Sequence, residues 1–279
     1  MLIGFVSLFG TGLIVIPIML ICSPIYQLNP ELWYAIGDSL WAPMWGLCIL
    51  YCETFGGTTF VYQGDEPLEG ESVLIMANHL GDLDWVVMLS LAARMRALAG
   101  VRFIMKASLA KLPLLGWGLA LHHNVFIRSR PSGRPVDGGA GDDLTPRRRL
   151  QLVQRDTADV TSTVRSLLTT GTRCQPVWIG LFPEGTRLIP DQHARALAFA
   201  EERGKPRYQF LLQPRTKGLE ALLAGARPCG LTHALDLTVA YEGFSAECER
   251  NSRQSSILDG VVRELCVHVL IRRVALPEE

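Results

Sequence analysis

No lysine or arginine precedes Arg94; every charged side chain before it is acidic, from Glu31 to Asp84. That absence removes the flanking cations by which a membrane segment is oriented. It also argues against a cleaved signal peptide, which opens on a basic region. Zinc-type cysteine pairs are missing too. The seven cysteines are scattered, and Cys22, Cys48 and Cys52 fall in apolar segments. They read as small buried residues of a reducing compartment. Overall charge balances at zero, so all the basic residues crowd the remainder of the chain. Most of these belong to an ordinary solvated surface, but they can also meet anionic headgroups or a phosphorylated ligand.

What the amino end has instead is apolar length. Leu2 to Cys22 carries no charge and is long enough as a helix to cross a bilayer core of ~30 Å. Leu32 to Tyr51 is a second apolar stretch, broken by Asp38 and Pro43 and containing Trp33, Trp41 and Trp45, a ring type that favours the headgroup region. A retained, membrane-anchoring helical hairpin over residues 1–55 is expected, followed by one domain over 56–279. Asp38 and Pro43 weaken the second span, so crossing the bilayer and staying in one leaflet are both open.

Beyond the hairpin, short β-rich runs alternate with helical ones. The strand candidates are Thr58 to Tyr62, Ser72 to Ala77, Val101 to Met105, Asn124 to Ile127, Pro176 to Phe182, Leu235 to Tyr241 and Cys266 to Arg273. Trp85 to Ala99, Leu150 to Thr169, Asp191 to Arg203 and Lys217 to Ala226 have helical character. That alternation argues for an α/β fold, a sheet covered by helices with functional loops at strand ends. Residues 130–149, rich in Gly, Pro and charge, read as a flexible insertion.

Two stretches carry chemistry. In MANHLGDLDWVVM, Met76 to Met88, Asn78, His79, Asp82 and Asp84 interrupt an apolar run. A buried carboxylate without a partner costs several kcal/mol, so each must be paired, wet or catalytic. Asp82 is placed near a helix start. His79 and Asp84 are five residues apart, which on one helix would turn them ~140° from each other. They can meet only if a loop leads into the helix, and Gly81 supplies one. A carboxylate holding one imidazole nitrogen while the other faces a hydroxyl is the wiring of a general base. No HExxH or second histidine at ligand spacing lies nearby, so no metal site is expected. The second stretch is LFPEGTR, Leu181 to Arg187, after a strand candidate. Glycine there allows close backbone approach, and Glu184 and Arg187 can orient each other or Arg187 can fork onto a phosphate. Taken alone, PEGT is simply a good turn. His122 and His123, without a carboxylate at recognisable spacing, read as satisfied or solvent-facing histidines.

Together, in order, the stretches are far more specific. NHLGDLD resembles the NHxxxxD motif, and FPEGTR the matching second signature, of the glycerolipid acyltransferases, the family of lysophosphatidic acid acyltransferases. MKASLAKLPLLGWGLA, Met105 to Ala120, resembles the family's stretch between them. LLQPRTKGLEALL, Leu211 to Leu223, is similar to the PRTKG segment of the eukaryotic branch that includes lysocardiolipin and lysophosphatidylinositol acyltransferases. The later LDLTVAY and HVLIRRV resemble that branch's closing strands.

The resemblance implies a mixed sheet covered by helices and an acyl-CoA-dependent transfer to the free hydroxyl of a lysophospholipid. Lysophosphatidic acid, giving phosphatidic acid, is the first expected acceptor. Lysocardiolipin or lysophosphatidylinositol is the alternative, as is a non-catalytic lipid-binding homologue. It assigns His79 as base and Asp84 as its orienter. Glu184, Gly185, Thr186 and Arg187 would bind the acceptor, with Lys106, Arg128, Arg215 and Lys217. Ser129 stands where the family carries a phosphate-holding arginine, between Arg128 and Arg130, and strand alternation favours Arg128. Acyl-CoA enters as co-substrate, with no bound cofactor and no metal. The expected partners are the lipid substrates and the bilayer, not nucleic acid; the oligomeric state is left open. The expected location is a membrane, that of the endoplasmic reticulum or alternatively of the mitochondrion.

Overall fold

The computed structural model describes residues 2–127, 146–170, 175–242 and 264–276, the side chains of 2–10 and 146–156 excepted. Seven strands form one sheet: β1 (Thr59–Gly64), β2 (Val73–Ala77), β3 (Val101–Lys106), β4 (Val125–Ile127), β5 (Trp178–Leu181), β6 (His233–Tyr241) and β7 (Cys266–Ala275). Their spatial order is β1-β7-β6-β2-β5-β3-β4. The run from β6 to β4 is parallel, β7 is antiparallel to β6, and β1 is parallel to β7. The sheet is therefore mixed, as expected, and each strand candidate overlaps one of these strands.

Burial explains the sequence texture of the strands. β2 and β5 lie mid-sheet with helices on both faces, so nearly every side chain is buried and they read as unbroken apolar runs. Buried and exposed residues alternate over the later part of β6 and from Val267 to Arg272 of β7, as on a half-solvated antiparallel pair. Helices α4 (Asp84–Arg94), α5 (Leu115–Leu121), α6 (Pro146–Thr170), α7 (Pro190–Glu202) and α8 (Thr216–Ala226) fill the connections. The sheet separates two apolar clusters. Val86, Met88 and Leu89 of α4 lie in one with Trp41, while Val164 and Leu167 of α6 and Leu222 of α8 lie in the other. Helix α6 starts inside the stretch expected as a flexible insertion; Arg128, Arg130 and residues up to 145 lie outside the described residues.

The amino end folds as α1 (Leu2–Cys22), α2 (Ile25–Leu28) and α3 (Pro30–Leu50), continued by a π-helical turn, Tyr51–Phe55. Asn29 caps α3 by accepting the Leu32 N–H, and Pro30 occupies its first turn. Among the described residues, no helix is long and apolar enough to cross a membrane. Instead α3 is built into the domain. Trp33, Trp41 and Trp45 are buried rather than turned outward. Asp38, expected to interrupt a membrane span, is buried and paired with Arg102 of β3, with Gln175 as a further partner. Breaking such a pair strands a buried charge, at a cost of roughly 3–5 kcal/mol. The face of α1 turned away from the domain remains apolar, with Leu13, Ile14 and Ile21 between 62% and 78% exposed.

His122 and His123 seal the same junction. The His122 ring stacks on Trp41, and His123 Nε2 accepts the Trp33 indole N–H at 2.7 Å. Burial, reinforced by the nearby Arg102 charge, depresses their pKa values to about 3 and about 4. As pH falls below ~6.5, the unfolded chain binds protons that the folded chain refuses, so stability is lost progressively towards those values. Melting temperature should therefore drop between pH 7 and pH 5. The drop should shrink in His122→Phe, which keeps a ring on Trp41 but binds no proton; an unchanged slope in that variant would contradict this account.

Candidate active site

The site forms because β2 and β5 are adjacent, parallel and in register. Met76 pairs with Leu181, and His79 and Glu184 each lie three residues beyond that pair. Two motifs about a hundred residues apart thus leave the sheet side by side at its carboxyl edge, where open parallel sheets bind ligands. The backbone between Ala77 and Asp84 is irregular and leads into α4. That loop lets His79 and Asp84 meet, with His79 Nδ1 2.8 Å from Asp84 Oδ2. Asp84 is completely buried and its Oδ2 also accepts the Gly81 N–H at 2.9 Å. The imidazole lies over the Phe182 ring, centroids 4.2 Å apart, and keeps about 20% of its side-chain surface exposed. Nε2 is left without a protein partner among the described residues, as a base that serves a ligand requires.

Glu184 bridges two backbone segments through its carboxylate. Its Oε1 accepts the His79 backbone N–H and its Oε2 that of Leu212, each at 3.0 Å. Burial, aided by the nearby Asp84 charge, raises its pKa, and the two backbone donors and the adjacent imidazole offset this only in part. With one bond on each oxygen, it fixes the backbone of His79 against that of Leu212. A further clasp, from Leu188 N–H to the His79 carbonyl, secures the other side of that residue. Asn78 is likewise structural: its amide exchanges two hydrogen bonds with the backbone of Val239, prolonging the β2–β6 ladder by one step.

Cations surround the edge. Arg187 pairs with Asp82, so Asp82 is a partner for an arginine and not simply a residue near a helix start. Both are more than one-third exposed, and such a pair opens readily to a competing anion. Gly185 has φ +69°, and a side chain there would press on Arg215, whose guanidinium group therefore lies over the turn. Arg215 N–H is bonded to the Pro183 carbonyl. Thr186 is half-buried within the turn. Lys106 is exposed at the carboxyl end of β3, and Lys217 is exposed in the first turn of α8, next to Gly218, which faces Ile127 at the end of β4. Arg128 lies outside the described residues.

One partner of the dyad escaped sequence reading altogether. Tyr241, buried at the end of β6, donates its hydroxyl to Asp84 Oδ1 at 2.5 Å. No local spacing links residues 157 positions apart; only the β2–β6 pairing does.

The acyltransferase family's sequence model matches residues 59–210, more than half of the chain and both motif loops. The chain belongs to the glycerolipid acyltransferase family. It is 30% identical to a probable 1-acyl-sn-glycerol-3-phosphate acyltransferase 5 of Arabidopsis thaliana, over 85% of this chain and 54% of that one. Lysocardiolipin acyltransferase 1 of Danio rerio is also 30% identical, over 94% and 60% respectively. The chain thus spans little more than half the length of these curated relatives. The crystal structure of the 1-acyl-sn-glycerophosphate acyltransferase PlsC from Thermotoga maritima is similar with a TM-score of 0.41 and 16% identity, covering 95% of this chain and 85% of that one.

In this chain, Glu184→Ala should destabilise by roughly 2 kcal/mol or more, since each buried donor left unpaired costs ~1–3 kcal/mol. Glu184→Gln should recover little, because its NH2 group would face one of the two N–H donors. Urea unfolding checks both. A Gln variant as stable as the parent would refute the double-acceptor role.

Proposed function

We propose that the chain is a membrane-associated, acyl-CoA-dependent lysophospholipid O-acyltransferase, with lysophosphatidic acid as acceptor and phosphatidic acid as product. The observation that carries this reading is the His79–Asp84 dyad, its open nitrogen facing an edge rich in arginine and lysine. An acceptor hydroxyl is too weak an acid to attack a thioester unaided. His79 Nε2 takes its proton as the oxygen attacks the thioester carbonyl carbon. The tetrahedral adduct collapses, the carbon–sulfur bond breaks, and the imidazolium returns the proton to the coenzyme A sulfur. Ester and thiol are the products, the base is regenerated, and the reaction needs neither a covalent acyl-enzyme nor a bound cofactor.

Arg187 and Arg215 would grip the acceptor phosphate, since a guanidinium can bind it with paired hydrogen bonds, and Arg128 is the further candidate. Lys106 and Lys217 add positive potential at the same edge. The similarity to lysocardiolipin acyltransferase over 94% of the chain favours a second reading, in which a lysocardiolipin or another lysophospholipid is the acceptor. The outward apolar residues of α1 support an amino end that rests on or in a bilayer, where lysophospholipids partition. The endoplasmic reticulum is the proposed location.

The test is one labelled acyl-CoA offered with a panel of lysophospholipids, wild type beside variants. His79→Ala should lose the ~10²–10⁴-fold typical of general-base catalysis, and Asp84→Asn nearly as much. Asp82→Asn should leave kcat close to wild type and change the acceptor KM, because it frees Arg187. Label released as free fatty acid in every lane would instead mark a hydrolase.

Membrane attachment is tested separately. Lysine at Leu13, Ile14 and Ile21 leaves the buried face of α1 intact and should move the protein from sedimented liposomes to the supernatant. Unaltered co-sedimentation would remove α1 from the membrane contact.

A further inference from the structure

The Asp84 carboxylate is fully buried, yet it accepts three hydrogen bonds. Two of them, from Gly81 N–H and His79 Nδ1, converge on Oδ2, and the third, from Tyr241, reaches Oδ1 at 2.5 Å. Tyr241 is itself 5% exposed at the last position of β6, opposite Val267 of β7, so its ring is held by two strands. A buried anionic oxygen without a donor is costly. If the phenol were absent, the carboxylate could turn about its Cβ–Cγ bond to seek one, carrying Oδ2 away from His79. If it stayed in place, more of its negative charge would act on the imidazole.

We propose that Tyr241 is a positioning residue for the base: its hydroxyl fixes the rotation of the Asp84 carboxylate and takes up part of its charge, so that Asp84 Oδ2 stays on His79 Nδ1. The inference rests on the acyltransferase reading of the same dyad and assigns that reading a third member. The direction of the effect follows from charge. A hydrogen bond to a carboxylate disperses its charge and weakens its hold on a neighbouring cation. Losing the Tyr241 bond strengthens the hold of the carboxylate on imidazolium relative to neutral imidazole. The other ionisable groups near the dyad are Glu184, bonded to the His79 backbone, the Asp82–Arg187 pair, and Arg215 over Gly185. None of these contacts involves the phenol. Along α4 itself, the next charge after Asp84 is Arg94, at the far end.

The experiment uses the full chain in detergent micelles with ring-labelled histidine, the His79 signal being identified by its loss in His79→Gln. In Tyr241→Phe, the His79 titration midpoint should move up by roughly half a unit to one unit. The fall in kcat at pH 7 should be at most about 10-fold, with KM for both substrates within about twofold. The acid limb of the rate profile should follow the titration. Replacing Tyr241 by 3-fluorotyrosine, a stronger donor of nearly the same size, should move the midpoint down instead. Tyr62→Phe is the control: it removes a hydroxyl bonded to the Val87 carbonyl at 3.0 Å, on the same helix as Asp84, and should move neither readout. An unmoved His79 midpoint in Tyr241→Phe overturns the proposal. Should that variant fail to fold, an unmoved midpoint in the fluorotyrosine protein overturns it equally. If the wild-type chain transfers no acyl group at all, the acyltransferase reading fails, and the titrations still decide what Tyr241 does to the dyad.

Discussion

A single buried carboxylate ties the two motif loops together. Glu184, itself buried, accepts backbone N–H groups from His79 on one side and Leu212 on the other. The arrangement depends on β2 and β5 lying next to each other in parallel, so that their outgoing loops meet at equal distance from the last paired residues. Burial alone would favour the protonated acid. Burial, with the nearby Asp84 charge, raises the Glu184 pKa on balance, and two backbone donors and the imidazole oppose that only in part. The position of the imidazole therefore follows from the position of Glu184, and the Leu188 N–H to His79 carbonyl bond completes the clasp.

Within the motifs, chemistry and support fall to different residues. Asn78 extends the sheet, Phe182 lies under the imidazole, Gly185 makes room for Arg215, and Glu184 anchors two backbone segments. Asp82 and Arg187, one from each motif, pair across the gap while both remain partly solvated. That partition gives a physical reason for two short motifs of fixed internal spacing: many of their residues make contacts that hold the two loops in place. The dyad continues the same logic into the interior, through Asp84 to Tyr241 and hence to β6.

The amino-terminal helices have two distinct faces. Helix α3 is bound to the sheet by the buried Asp38–Arg102 pair, by Trp41 stacked on His122 and by Trp33 bonded to His123. Helix α1 buries Val15, Ile16 and Met19 and turns Leu13, Ile14 and Ile21 outward. A segment that looks uniformly apolar in sequence is thus divided by packing into an inner stripe belonging to the domain and an outer one available to another apolar phase.

The sequence alone determined what depends on local order. Periodicity and apolar runs located each strand, because strand burial is written into neighbouring residues. The five-residue separation of His79 and Asp84, with Gly81 between them, required the loop that the structure contains, and the joint order of NHLGDLD and FPEGTR carried the family. Tertiary structure decided every pairing between distant residues. Nothing in a linear reading brings Tyr241 to Asp84, Asp82 to Arg187, or Asp38 to Arg102, since these meet only through strand adjacency or helix packing. The short helix α5, between two stretches that were legible, had too little periodic length to announce itself. Glu184 was legible as a site residue, but its role was not. Whether a carboxylate faces a ligand or a backbone amide depends on which strand lies beside its own, and that is a property of the folded sheet.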